Sequence, residues 1–367
     1  MTPRVRLNRR GFMQAAAMAA IGTHLPGSSL PSKDSKHGLA FVGTMGEASC
    51  VHTYSVRDGQ WKLLHTIQCK APIAMLVHPT QDMFYVLNQI NEHEGLPRGT
   101  VETYRLGRET GALQFLNRQP LSLSAISPSS MALSPDGRTL AVAVAGGGAY
   151  NLLPVLESGQ LGRVSSVIKE TGSGPVAGQQ DAAHPQSVIF TEAGTLIASD
   201  LGCDRLSTFS IEDGISVTGR IQLPAGSGPR HLAVHPHGDL LFADHALGGS
   251  ASVFRRNGSG LGATPLATIG GAFGDALAIH PSGDFLYSAA GEVLTAWRID
   301  LESGGLNPVH SIAVEAVRAL LAAPDGLALF ALTPRGVLRV EIAAVGGQRL
   351  YPQLTASISD TRSILFL

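Results

Sequence analysis

Charge is scarce in this chain. Only 15% of its 367 residues are Asp, Glu, Lys or Arg, and they sum to a net charge of −1. Such a surface offers no basic footprint for nucleic acid or for an anionic membrane, and no long acidic or basic run upsets the balance. Cysteine is scarcer still. Cys50, Cys69 and Cys203 are odd in number and far apart, so they make neither a CxxC zinc pattern nor a disulfide framework; buried thiols are the expectation. No apolar run is long enough to cross a bilayer. GxSxG, HExxH and P-loop signatures are also missing. Gly258-Ser259-Gly260-Leu261-Gly262 lacks the strand-turn-helix setting of a dinucleotide site and reads as a turn. Glu92-His93-Glu94 lies in a long polar stretch and reads as a solvated cluster rather than a metal site.

The first 31 or so residues are organised as an address. Arg4, Arg6, Arg9 and Arg10 form a basic region without acidic residues, Met13 to Ile21 is short and apolar, and Pro26-Gly27-Ser28-Ser29 is small and polar. That is the order of a signal peptide. Asn8-Arg9-Arg10-Gly11-Phe12-Met13 resembles the twin-arginine export signal, which predicts a periplasmic or secreted protein. A route that exports folded chains also suits a protein without a disulfide framework.

What the sequence does have is repetition. Gly (43) and Pro (21) are spread along the chain, as suits many short strands separated by turns. One phrase recurs at Val77-His78-Pro79, Ser134-Pro135-Asp136-Gly137, His235-Pro236-His237-Gly238, His280-Pro281-Ser282-Gly283 and Ala323-Pro324-Asp325-Gly326, with a blurred copy at Thr191-Glu192-Ala193-Gly194. Positions 79, 135, 192, 236, 281 and 324 are separated by 56, 57, 44, 45 and 43 residues. A period near 45, strands rather than helical periodicity, and a turn in every unit predict an all-β fold, the β-propeller. Six units carry the phrase. A seventh is split between strands at Leu39–Val42, Val51–Tyr54 and Trp61–Leu64 and a lone final strand, Ser363–Leu367. Pairing the two ends gives a seven-bladed ring over residues 38–367, with loops at Ile90–Gly99 and Ser173–Ala183 absorbing the longer intervals. Because His78, His235 and His280 repeat at one position, they read as structural.

The innermost strand of each blade lines the channel, so residues at its entrance face a common axis. Counting back seven from each turn gives Pro72, Pro128, Pro185, Pro229, Gly274 and Val317. The pairs that follow are Ile73-Ala74, Ser129-Ser130, Gln186-Ser187, Arg230-His231, Asp275-Ala276 and Arg318-Ala319. The ring is mostly small and neutral, with its charge confined to three consecutive units. Those charges either form a site or pair among themselves as a polar plug.

His184-Pro185-Gln186-Ser187-Val188, Ser199 to Arg205 and Gly226 to His237 resemble the lactonase family of seven-bladed propellers, the 6-phosphogluconolactonase and carboxymuconate-cyclase type, as does Asn88 to Tyr104. The resemblance implies opening of a sugar lactone, or lactone formation by cycloisomerisation in related members, without metal or organic cofactor. Ring opening needs a base that works near neutrality and a cation for the charge that develops on the carbonyl oxygen. His231 or His184 is therefore the expected base, and Arg205 and Arg230 the anion clamps. Glu94, Gln186, His245, Asp275 and Arg318 complete the expected substrate-binding set. The partner implied is a small lactone or sugar acid, bound by a monomer.

The chain also departs from the family pattern. Gln186 and Ser130 stand at or near positions where histidines are usual, and Ala276 replaces an acidic residue. Ala289-Ala290-Gly291 replaces Ser-Asn-Arg, and His245-Ala246 replaces Asn-Glu. Two outcomes stay open: a lactonase with a changed substrate, or a propeller that binds a carbohydrate acid or a protein partner without turnover.

Overall fold

A strand buried on both faces is apolar along most of its length, whereas one with a wet face alternates. Both patterns occur within each unit. Met83–Asn88, Leu240–His245 and Ala328–Thr333 are buried at every position, while Ser216–Gln222 alternates between exposed and half-buried. In the computed structural model, which describes residues 38–367 except 47, 58, 259 and 344–348, these strands form seven antiparallel sheets. Their innermost strands are Pro72–Val77, Pro128–Leu133, Pro185–Phe190, Pro229–Val234, Ala276–Ile279, Ala319–Ala322 and Thr361–Phe366.

The seven blades form the propeller read from the repeat. Blade one takes its innermost strand from the C-terminal end: Thr361–Phe366 pairs antiparallel with Gly38–Thr44, with Phe41 opposite Leu365. Blades two to seven follow in chain order. The longer intervals lie in segments 89–99 of blade two and 170–184 before blade four. Gly260–Leu261 folds back on Arg256–Asn257 as a blade hairpin. The export signal read in residues 1 to 31 lies outside the described residues.

Apolar packing runs between blades. Each of seven buried clusters joins one blade to the next; one sets Leu76 and Tyr85 against Met131 and Leu140, and another sets Phe330 against Val42 and Phe366. The recurring histidines reinforce these seams. His78 donates from Nε2 to Gly137 O (3.1 Å), His235 to Gly283 O (2.9 Å) and His280 to Gly326 O (2.9 Å). Their Nδ1 atoms accept backbone N–H groups of Thr80, His237 and Ser282, which fixes the hydrogen on Nε2. A Cβ on Gly137 would lie 2.7 Å from the His78 ring, so the turn glycine lets the latch close. The structural role read for these three histidines is what the fold shows. All three cysteines are free and buried, as expected.

Candidate active site at the channel mouth

The innermost strands all begin on one face, and a backbone irregularity recurs there. In blades two, three, four and five the ladder shifts by one residue just after the entrance proline. The closing strand does the same between Thr361 and Ser363. A bulge leaves one residue out of the ladder and re-aims its side chain. The residues set apart are Ile73, Ser129, Gln186 and Arg362, together with the Arg230-His231 pair in blade five, so the ring predicted by counting is built largely by repeated bulges. Asp275 and Arg318 hold the corresponding places in blades six and seven. Arg362 completes the ring. Counting back from the six turn phrases could not reach it, because each of them follows the innermost strand of another blade.

The charged ring residues do not form the plug. Among the described residues, no ion pair joins Arg230, Asp275 and Arg318. Arg230 donates from Nη1 to Gly274 O (3.2 Å), Asp275 accepts Gly291 N–H on Oδ2 (2.7 Å), and Arg318 Nη1 lies 3.6 Å from Asp360 Oδ1.

His231 is held differently from any other described histidine. Its backbone N–H donates to Asp244 Oδ1 (2.6 Å) and its ring Nδ1–H to Asp244 Oδ2 (2.9 Å). Both residues are buried, at 2% and 0% side-chain exposure. Burial alone would raise the Asp244 carboxyl, but the electrostatic pull of His231, these two hydrogen bonds and the Arg230 charge outweigh it and hold it below the usual carboxylate range. In the neutral ring the pairing makes His231 Nε2 the acceptor nitrogen, closed off from solvent and without a hydrogen-bond partner in the described protein. Sequence reasoning missed Asp244. The available signal was an acidic residue inside a wholly buried strand, which demands a partner.

The turn before this strand is anchored from blade four. Asp204 accepts Gly226 N–H on Oδ2 and Gly228 N–H and Gln180 Nε2 on Oδ1, all at 2.7 Å. Ser199 Oγ donates to Arg230 O (2.7 Å). Gly228 has φ +60 and packs so closely that a Cβ would meet the Leu247 side chain. Arg230 and His231 therefore stand on backbone fixed from both blades.

Blade four carries a second polar cluster. Arg205 donates to Glu170 Oε2 (2.6 Å) and lies 3.7 Å from Asp200 Oδ2, and Arg220 reaches the same Glu170 oxygen at 3.0 Å. Arg205 is thus engaged by protein carboxylates. Asp200 accepts the backbone N–H groups of His184 (2.8 Å) and Cys203 (3.1 Å), yet burial dominates and pushes its carboxyl above the usual range. Cys203 is pushed up to about 12 by burial first and by Asp200 second. His184 is half-buried and lines a cleft of about 390 Å³ between blades three and four, together with Gly146, Lys169 and Glu170. Glu170 is a single residue at the start of a long loop, with no pattern to mark it in the sequence.

The other expected residues are more dispersed. Glu94 is 72% exposed on the blade-two loop, where it approaches His93 (3.7 Å) and Arg98 (3.6 Å). Gln186 is half-buried in the ring. His245 is buried beside Asp244, with Nδ1 against Ser250 Oγ (3.0 Å). Burial lowers its pKa against the opposing pull of Asp244 and Asp204.

Comparison with known proteins settles the lineage. The profile described as "Lactonase, 7-bladed beta-propeller" matches residues 40–336. The chain belongs to the lactonase family of seven-bladed β-propellers. Within that family it is 26% identical over 293 residues to the 6-phosphogluconolactonase of Bacillus subtilis, covering 76% of this chain and 82% of that one. The solved periplasmic gluconolactonase of Pseudomonas aeruginosa superposes with a TM-score of 0.80 at 23% identity, over 91% of this chain and 99% of the other. A Bacteroides fragilis structure superposes with a TM-score of 0.83 at 22% identity, over 92% and 99%. The two structural likenesses concern the fold of this lactonase-family chain.

Proposed function

We propose that the protein hydrolyses a sugar lactone at the mouth of its central channel and is exported by its N-terminal twin-arginine signal. Recovery of the protein in the periplasmic fraction is the check on export. The observation that carries the hydrolytic reading is the Asp244–His231 pair next to Arg230, on the mouth-facing end of blade five. Asp244 fixes the hydrogen on Nδ1 and leaves Nε2 to take a proton from water. The water oxygen bonds to the lactone carbonyl carbon, and Arg230 supports the negative charge on the carbonyl oxygen. The bond from the acyl carbon to the ring oxygen then breaks, and the ring oxygen takes the proton held by His231. The product is a hydroxy acid that releases one proton near neutrality.

A specific observation also favours His184 as the base: it lines the cleft of about 390 Å³ with Lys169 and the buried Glu170. A pH-stat assay over phosphorylated and unphosphorylated sugar lactones separates the two. With His231 as base, His231→Ala lowers turnover by about 10²–10⁴-fold, and His184→Ala acts mainly on KM. The reverse pattern assigns the chemistry to His184. Absence of turnover on every lactone sinks the enzymatic reading in favour of a propeller that binds a carbohydrate acid or a protein.

A further inference from the structure

The seventh ring position adds a cation to one already there. Arg362 stands between two pinned residues: Thr361 Oγ donates to Thr333 O (3.0 Å) and Ser363 Oγ to Pro72 O (2.8 Å). Its neighbour across the seam, Arg318, is fixed through its backbone N–H to Leu332 O (2.8 Å). The two guanidinium groups are near enough that Arg318, after burial itself, lowers the Arg362 pKa, while Asp360 pulls it back. Among the described residues Asp360 is the one carboxylate in an ion pair with Arg318, at 3.6 Å and beyond hydrogen-bond reach, and it is 55% exposed. Arg318 Nη1 and Arg362 Nε are closed off from solvent and have no hydrogen-bond partner in the described protein. Asp275, the other acid of the ring, is committed to Gly291 N–H.

Buried guanidinium N–H groups without acceptors are costly unless something supplies the oxygens. Two planar forks with a net excess of positive charge match an oxyanion, which each can bind through parallel N–H···O bonds. We propose that Arg318 and Arg362 form an anion subsite at the seam of blades seven and one, taking a carboxylate or phosphate oxyanion. The inference deepens the lactonase reading by giving the substrate or product an anionic group; binding of the anion stands apart from turnover.

Calorimetric titration with inorganic phosphate and with gluconate tests it directly. Wild-type protein should bind at least one of them, and Arg362→Gln and Arg318→Gln should each weaken that binding by about tenfold or more. Arg362→Lys, which keeps charge but loses the fork, should fall between. Arg339→Gln removes an outer-strand arginine of blade seven that pairs with Glu341, and should leave binding unchanged. Melting temperatures establish that the variants are folded. Weakening of phosphate alone or gluconate alone supports the subsite and identifies its oxyanion. Absence of binding by wild type, or equal binding by wild type and both glutamine variants, overturns it. Loss of anion binding in Arg362→Gln from a protein that opens no lactone would retain the subsite and reject the hydrolytic reading.

Discussion

A buried histidine works as a base only if its hydrogen is kept on the other nitrogen. For the proposed base, His231, the task falls to Asp244, whose two oxygens accept its backbone N–H and ring Nδ1–H. Asp244→Asn makes a specific test, because the backbone N–H can only donate. The amide oxygen must face it, so the amide NH₂ turns toward Nδ1 and pushes the ring hydrogen to Nε2. The base is then lost with little change in shape. The expected result is a fall in lactone-opening kcat of about 10²–10⁴-fold, with KM little altered. The ring ¹⁵N signals of His231 should show the hydrogen on Nδ1 in wild type and on Nε2 in the variant. An unchanged kcat would remove His231 from the chemistry and leave His184.

At the scale of the element, the repeated unit is a four-stranded antiparallel blade, and three of the turns add a histidine latch to the next blade. His78, His235 and His280 each tie a turn to the following turn's glycine carbonyl. Burial holds His78 and His235 below the ordinary value near 6.5. The unfolded chain therefore takes up protons first as pH falls, and stability is lost from about pH 6.5 downward through the lowered folded values. Melting temperature should drop between pH 7 and pH 5, and less steeply in a His78→Gln, His235→Gln double variant. His235→Ala should cost about 1–3 kcal/mol at neutral pH by leaving the Gly283 carbonyl without its donor. A pH dependence identical in wild type and double variant would rule the latches out as its source. These latches were legible in the sequence because one solution recurs at one repeat position, and the inner strands because two buried faces require unbroken apolar runs. The candidate site was less so. Its contacts join single-copy residues 13 and 35 positions apart, His231 with Asp244 and Arg205 with Glu170, and no periodicity announces such pairs. The bulges that set the ring residues apart are likewise a property of pairing between strands.

At the scale of the molecule, seven blades must close, and the chain does so within blade one by setting its last strand against its first described one. That strand fills the seam between blades seven and one: Phe366 lies 4.4 Å from the Phe330 ring centroid and 5.8 Å from that of Trp61, and is 2% exposed. The same strand carries Arg362 to the channel, so closure and the proposed anion subsite share one element. Close approach continues at the next seam, where a Cβ on Gly43 would come within 2.8 Å of Pro72 O. In an open array each blade's loss would be local, whereas in a closed ring a defect in the final strand weakens every seam's alignment. Phe366→Ala should accordingly cost about 3–5 kcal/mol, the usual range for emptying a buried aromatic site. Leu354→Ala, on the outer strand of blade seven at 51% exposure, should change stability by no more than about 0.5 kcal/mol. Both are read from urea unfolding midpoints at constant slope. Deleting residues 361–367 should abolish the single cooperative transition, because blade one would lose its innermost strand and the ring its closure. A truncated protein that still unfolds in one sharp step near the wild-type midpoint would show that the ring does not depend on this pairing.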